Sequence, residues 1–299
     1  YQNRKAIIGS QTHIILLSGG SGSRLWPLSN ESRSKQFLKV LRNSSNIPES
    51  MVQRTFRKIK EALPEANLLV ATGNSQVYSI ESQIEGDYDL VVEPERRDTA
   101  PAIMLSCAKL AFDLGADPND SVIVLPIDTY ADDGYYKSLA RLAEAVDERP
   151  DGLVLLGIEP TYPSEKYGYI VPVDTVGDIY EESCFAEKPS EAKAQSLIEK
   201  GALWNGGIFG FKLGYGLDIL RRYTSSKDLE EIIENYSEFP KVSFDYEVVE
   251  KADSIAVVPC QGEWKDLGTW NTLSEEMAEA YSGRIVFDGD VLFDSGEQY

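Results

Sequence analysis

Histidine and cysteine are nearly missing from this chain: 299 residues include one His, His13, and three Cys, Cys107, Cys184 and Cys260. The cysteines lie far apart with no paired spacing. That argues against a zinc site or a disulfide framework and fits buried free thiols in a reducing cytoplasm. His13 opens an apolar run and is expected to pack there. With no partner base in the pattern, nucleophilic catalysis by Ser or Cys has no support. Long apolar runs are missing too, so no membrane-spanning helix is expected. The opening "YQNRKAIIGSQTH" lacks the basic, apolar, small-residue order of a secretory signal. Residues 1–12 read as an extension or tag remnant, with Gly9-Ser10 resembling a cloning scar.

Cations are scarce: 29 Lys and Arg face 49 Asp and Glu, a net charge of −20. Such a field repels nucleic-acid backbones and anionic membranes, so neither is expected as a partner. An anionic ligand would need cations gathered at its own site. One stretch gathers them. "LLSGGSGSRLWPLSNESRSKQFL", Leu16 to Leu38, holds Gly19, Gly20 and Gly22 with Arg24, Arg33 and Lys35, just behind an apolar run.

Short apolar runs alternate with helical patterns. "HIILLSGG", "NLLVATG", "DLVVEP", "SVIVLPID" and "GLVLLGIEP" read as strands. Between them, "MVQRTFRKIKEAL" reads as a helix with Val52, Phe56, Ile59 and Leu63 on one face. "DTAPAIMLSCAKLAFDLG" reads as another, with Thr99 as N-cap, Ile103, Cys107, Leu110 and Leu114 on one face, and Gly115 as the stop. "YYKSLARLAEAVDE" is a third, and Asp132 and Asp133 before it read as solvated. This alternation predicts an α/β fold whose central sheet is mainly parallel and covered by helices on both faces. Past residue 160 the texture becomes mixed. "EKYGYIVPV", "CFAEKPS", "WNGGIFGFK" and "IAVVPCQGEW" read as strands, and "SEAKAQSLIEKG", "LDILRRY" and "DYEVVEKA" as short helices. The boundaries expected are one domain over 13–276 and a further segment, 277–299, with β-structure in "GRIVFDGDVLFDSGEQY" after the helix "TLSEEMAEAY".

In such sheets ligands bind beyond the carboxyl ends of the strands. A strand-to-helix turn with three glycines lets backbone N–H groups approach phosphate oxygens. It lacks the Gly-Lys-Ser/Thr ending of a Walker loop and the third Gly of a dinucleotide fingerprint. An ordinary turn would look similar; Arg24 and Lys35 beside it favour a polyphosphate. Asp128 ends one strand and Asp266 follows another, and one or two carboxylates with substrate phosphates is a usual Mg²⁺ set. Taken singly, a cap or turn role for Asp128 and a turn before glycine for Asp266 are the commoner readings. In "FAEKPS", Glu187 could accept from sugar hydroxyls and Lys188 could meet a phosphate, or the two could be an exposed ion pair. Asn205-Gly206-Gly207, Gly168 and Asp245 are candidates of the same kind. Phosphoryl and nucleotidyl transfer need positioning and charge neutralisation rather than a nucleophilic side chain, which suits this inventory.

Taken together, "LSGGSGSRLWPLSNESRSKQFL", "EPERRDTAPAI", "LPID", "GIEPTYP…YGYI", "FAEKPS", "WNGGIFGF", "FDYEVVEK" and "EWKDLGTW" closely resemble the sugar-1-phosphate nucleotidylyltransferases, and among them the bacterial mannose-1-phosphate guanylyltransferases. The likeness runs in order from about Ile14 to Leu273. It implies a Rossmann-like nucleotidyltransferase fold and Mg²⁺-dependent transfer of GMP from GTP to mannose 1-phosphate. By resemblance, Leu17, Gly19, Gly20, Gly22 and Ser23 belong to the nucleotide site, with Arg24 on the leaving pyrophosphate and Lys35 near the α-phosphate. Asp98, Thr99 and Ala100 meet the nucleoside, Asp128 and Asp266 hold the metal, Gly168, Glu187, Asn205 and Asp245 grip the sugar, and Lys188 its phosphate. Two positions depart from the family: Thr129 stands where His usually follows the strand-end Asp, and "SEKYGYI" replaces the commoner acidic-Thr-Gly run. The alternatives are the same reaction with another base or sugar, or a non-catalytic nucleotide-sugar-binding homologue. A cytoplasmic location is expected, and a homodimer stays open.

Overall fold

The computed structural model describes residues 11–18, 35–266, 284–287 and 290–294. The chain enters on β1 (Thr12–Ser18) and passes a small hairpin, β2 (Leu41–Arg42) and β3 (Pro48–Glu49), to helix α1 (Met51–Ala62). Ser50 caps α1 in a reciprocal box with Gln53, whose side chain returns to the Ser50 N–H. There follow β4 (Asn67–Gly73), α2 (Val77–Gln83), β5 (Asp89–Glu93), α3 (Thr99–Ala108), β6 (Ser121–Pro126), β7 (Thr129–Ala131), α4 (Asp133–Glu148) and β8 (Leu153–Ile158). The second half supplies β9 (Gly168–Val176), β10 (Ile179–Ala186), α5 (Glu191–Glu199), β11 (Leu203–Lys212), α6 (Leu213–Leu220), α7 (Leu229–Glu234), α8 (Phe244–Glu247), β12 (Ile255–Pro259) and β13 (Trp264–Asp266). β14 (Arg284–Phe287) and β15 (Asp290–Asp294) pair as a hairpin.

Nine strands form one sheet in the order β5-β4-β1-β6-β11-β8-β12-β10-β9. β1 pairs in parallel with β4 and β6, β4 with β5, and β8 with β12; β10 and β11 run against their neighbours. Helices cover both faces, as the unbroken Val/Ile/Leu runs require. Alternation along β1 shows why. Ile14 and Leu16 enter a core with Val52, Phe56 and Leu139, while Ile15 enters another with Ile103, Phe211 and Phe244. No described helix is long and apolar enough to cross a membrane.

Three local expectations need correction. Asp98, not Thr99, caps α3: it sits at φ +68° and its carboxylate accepts from the Thr99 N–H at 2.7 Å. Leu114 is 40% exposed, off the buried face. The reason is a π-helical turn over Lys109–Asp113, which changes the period that set Ile103, Cys107 and Leu110 inward. Asp132 is exposed but occupied, accepting from the N–H groups of Tyr135 at 3.2 Å and Glu263 at 3.0 Å. Gly115, at φ +69°, is suited to end the helical run as expected. His13 packs as anticipated, its Nε2 2.8 Å from Asp120 in a buried pair.

Candidate functional site

The carboxyl ends of β1, β4, β5 and β6 open into a cleft of about 500 Å³ lined by Leu17, Glu93, Asp98, Thr99, Asp128 and Lys241 among others. A larger hollow of about 650 Å³ lies around His13, Asn67 and Asp120 at the strands' amino ends, away from the ligand-binding edge of such a sheet. The Ile127 N–H donates to the Leu17 carbonyl at 3.1 Å, which ties the β6 exit, and so Asp128, to β1. The N-terminus of α3 carries Asp98 and Thr99 to the cleft wall, with Ala100 buried behind them. Gly19, Gly20, Gly22, Ser23, Arg24 and Arg33 lie outside the described residues. Lys35 opens a short 3₁₀ turn, Lys35–Phe37, where the described chain resumes.

Asp266 stands far from Asp128 in sequence but not in the fold. Strand β13 pairs antiparallel with β7, and Asp266 is the partner of Thr129, the residue after Asp128. Asp132 helps to fix that ladder. Its carboxylate holds the Glu263 N–H, and its own N–H donates to the Glu263 carbonyl at 3.2 Å. Gly262 beneath it has no room for a side chain: a Cβ there would collide with Asp132 Oδ1.

The second cluster lies on the strands from the other half. In the ladder, Asn205 is the partner of Gly168 on β9 and of Gly157 on β8. Asn205 donates from Nδ2 to Asp245 Oδ1 at 2.5 Å and accepts from the Gly207 N–H at 3.0 Å. The strand expected over "WNGGIFGFK" is β11, with an irregular stretch between Asn205 and Phe209 and Gly207 at φ +79°. Gly168 makes room for a carboxylate: a Cβ there would lie 2.7 Å from Glu187 Oε2. Lys188 Nζ is 3.8 Å from Glu187 Oε1, and Lys188 holds φ +44°, a conformation a lysine rarely adopts. Burial pushes Glu187 up to about 7, helped by the charge of Asp245 and opposed by Lys188. Burial also raises Asp245, against the hydrogen bond from Asn205.

The two clusters share a wall. Thr99 Oγ1 accepts from the Phe244 N–H at 2.8 Å, and the Ala100 N–H donates to the Val242 carbonyl at 3.1 Å. Asp245 is thereby held beside the start of α3, close enough for Asp98 to act on its charge. Glu93 and Lys241 were not singled out as individual site residues by motif reading. Glu93 accepts from the hydroxyl of buried Tyr236 at 2.5 Å, and burial raises its pKa. The only local signal for Glu93 is its place at a strand end; Lys241 sits in no motif.

A chain with these features resembles known proteins over most of its length. It is 32% identical to a mannose-1-phosphate guanylyltransferase of Sinorhizobium fredii, covering 91% of this chain and 56% of the relative. It is 32% identical to a mannose-1-phosphate guanylyltransferase of Escherichia coli, covering 93% of this chain and 64% of that one. It thus spans less than two thirds of these relatives. Among solved structures, a mannose-1-phosphate geranyltransferase from Thermus thermophilus is similar at 35% identity and a TM-score of 0.76, over 90% of this chain and 79% of the other. The pattern of the nucleotidyl transferase family matches residues 13–282, and the chain belongs to that family.

Proposed function

We propose that this chain transfers GMP from GTP to mannose 1-phosphate, forming GDP-mannose and pyrophosphate in the cytoplasm. The observation that carries the reading is the Asp266–Thr129 pairing, which brings the backbone of a second carboxylate beside Asp128 at the mouth of the cleft. Two hard oxygen donors, completed by substrate phosphates, fit Mg²⁺. When bound there, the ion would neutralise charge on the transferring phosphate.

The rest is the work of side chains. Glu187, Asn205 and Asp245 orient the sugar hydroxyls, and Lys188 attracts its phosphate. Asp98 and Thr99 flank the nucleoside, while Glu93, whose Oε1 accepts from Tyr236, would receive the N–H edge of guanine. Leu17 and the glycines after it, with Ser23, cradle the triphosphate; Arg24 and Lys35 offset its charge. The sugar-phosphate oxygen attacks the α-phosphorus in line. The bond to the bridging oxygen breaks, and pyrophosphate leaves with the electron pair. The attacking group is already an anion, so no general base is needed.

The test is a panel of nucleoside triphosphates against sugar 1-phosphates, read by pyrophosphate release with Mg²⁺ present. The reading expects GTP with mannose 1-phosphate to be the best pair. Faster turnover of another pair overturns the substrate assignment, and silence across the panel overturns catalysis.

A further inference from the structure

Ser18, at the end of β1, and Gln36, in the short turn Lys35–Phe37, meet on one side chain. Gln76 lies in the 3₁₀ turn after β4 and is 4% exposed. Its Oε1 accepts from the Ser18 hydroxyl at 2.9 Å, from Gln36 Nε2 at 3.3 Å and from the Thr72 hydroxyl at 3.4 Å. Gln36 Nε2 also reaches Ser18 Oγ at 3.5 Å. All four side chains are buried, with Ser18 at 1%, Gln36 at 2% and Thr72 at 0% exposure. Buried donors that lose their acceptor cannot turn to water, so this oxygen ties Ser18 and Gln36 to a single arrangement.

The members differ in what they hold. Thr72 is the ladder partner of Ser18 on β4, so the sheet already fixes it, and its hydroxyl has the Gly73 carbonyl at 3.3 Å as a second acceptor. Ser18 is the last residue before Gly19, and Gln36 follows Lys35 directly. A second glutamine secures the same return limb: Gln83 Nε2 donates to the Phe37 carbonyl at 2.9 Å, and Gln83 Oε1 accepts from Ser50 at 2.6 Å.

We propose that Gln76 is a positioning residue for nucleotide binding. By joining Ser18 to Gln36 it fixes the end of β1 against the Lys35–Phe37 turn. Gln76 acts through them and does not itself touch substrate. The inference deepens the proposed function and rests on it for the triphosphate's place near these residues; the assay uses whichever triphosphate the wild type turns over best. Absence of GTP turnover therefore bears on the base assignment and leaves this comparison intact.

The experiment measures KM for the triphosphate and for the sugar phosphate, with kcat and the thermal midpoint, in the full chain. Gln76→Leu is expected to raise the triphosphate KM about tenfold or more while the sugar-phosphate KM stays within about twofold. Gln76→Glu, which keeps an acceptor oxygen, is expected to restore most of the affinity. Gln36→Leu removes only the return-limb donor and should reproduce the Gln76→Leu effect, which keeps the test alive if Gln76→Leu does not fold. Thr72→Val should leave both KM values near wild type. A wild-type triphosphate KM in folded Gln76→Leu or Gln36→Leu overturns the proposal. So does a Thr72→Val enzyme as impaired for triphosphate as Gln76→Leu, because the effect would then be general loosening of the sheet end.

Discussion

Glu187 is the residue whose chemistry the fold alters most usefully. Its carboxyl is pushed up to about 7, chiefly by burial and then by Asp245. Between its ordinary range and about 7 the folded chain holds a proton that the unfolded chain has released, so this group's contribution to stability falls as pH rises through that window. A ligand that donates hydroxyl hydrogens favours the ionised form. The sugar-phosphate KM is therefore expected to fall as pH rises from about 6 to 8, with a smaller pH response and a weaker sugar-phosphate affinity in Glu187→Gln. Equal pH profiles in the two proteins would contradict this. Motif reading offered Glu187 as a candidate, but its altered proton affinity comes from burial and from Asp245, a partner distant in sequence. The same holds for Glu93: its Tyr236 partner is 143 residues away, and no local pattern announces it.

At the scale of elements, the strands were legible because buried β-strands read as apolar runs. The miscounts came where backbone left the standard period. Asp98 took the cap from Thr99 by entering the left-handed region, and the π turn displaced Leu114. Helices α2 and α7 gave little signal, since "VYSIESQ" and "LEEIIE" are too short for a helical period to stand out. Asp132 shows how an element reaches the site. It caps α4 and grips the backbone leading into β13, the strand that bears Asp266. Asp132→Ala is expected to cost about 1–2 kcal/mol in urea unfolding through the lost cap. It should also lower turnover more than triphosphate binding, because β13 loses its anchor. A stability loss with undiminished turnover would separate the cap from the site.

For the molecule as a whole, β11 is the seam. It comes from the second half of the chain yet lies between β6 and β8, both of the first, running against both. Phe211 on this strand is fully buried and stacks against Phe244, next to Asp245. Phe211→Ala is expected to cost about 3–5 kcal/mol and to raise the sugar-phosphate KM before the triphosphate KM, as followed by thermal unfolding and steady-state kinetics. The α/β layering was readable from strand–helix alternation, whereas the seam was not, because strand order depends on pairings that sequence spacing does not encode. A separate long-range pairing, of β13 with β7, brings the backbones at 128 and 266 together, and the account of catalysis depends on it most. Its direct test is the turnover of GTP and mannose 1-phosphate by Asp266→Asn across a Mg²⁺ titration, with the fold checked by circular dichroism. A loss of about a hundredfold or more in kcat with the fold retained is the predicted result; wild-type rates at every Mg²⁺ concentration would contradict it.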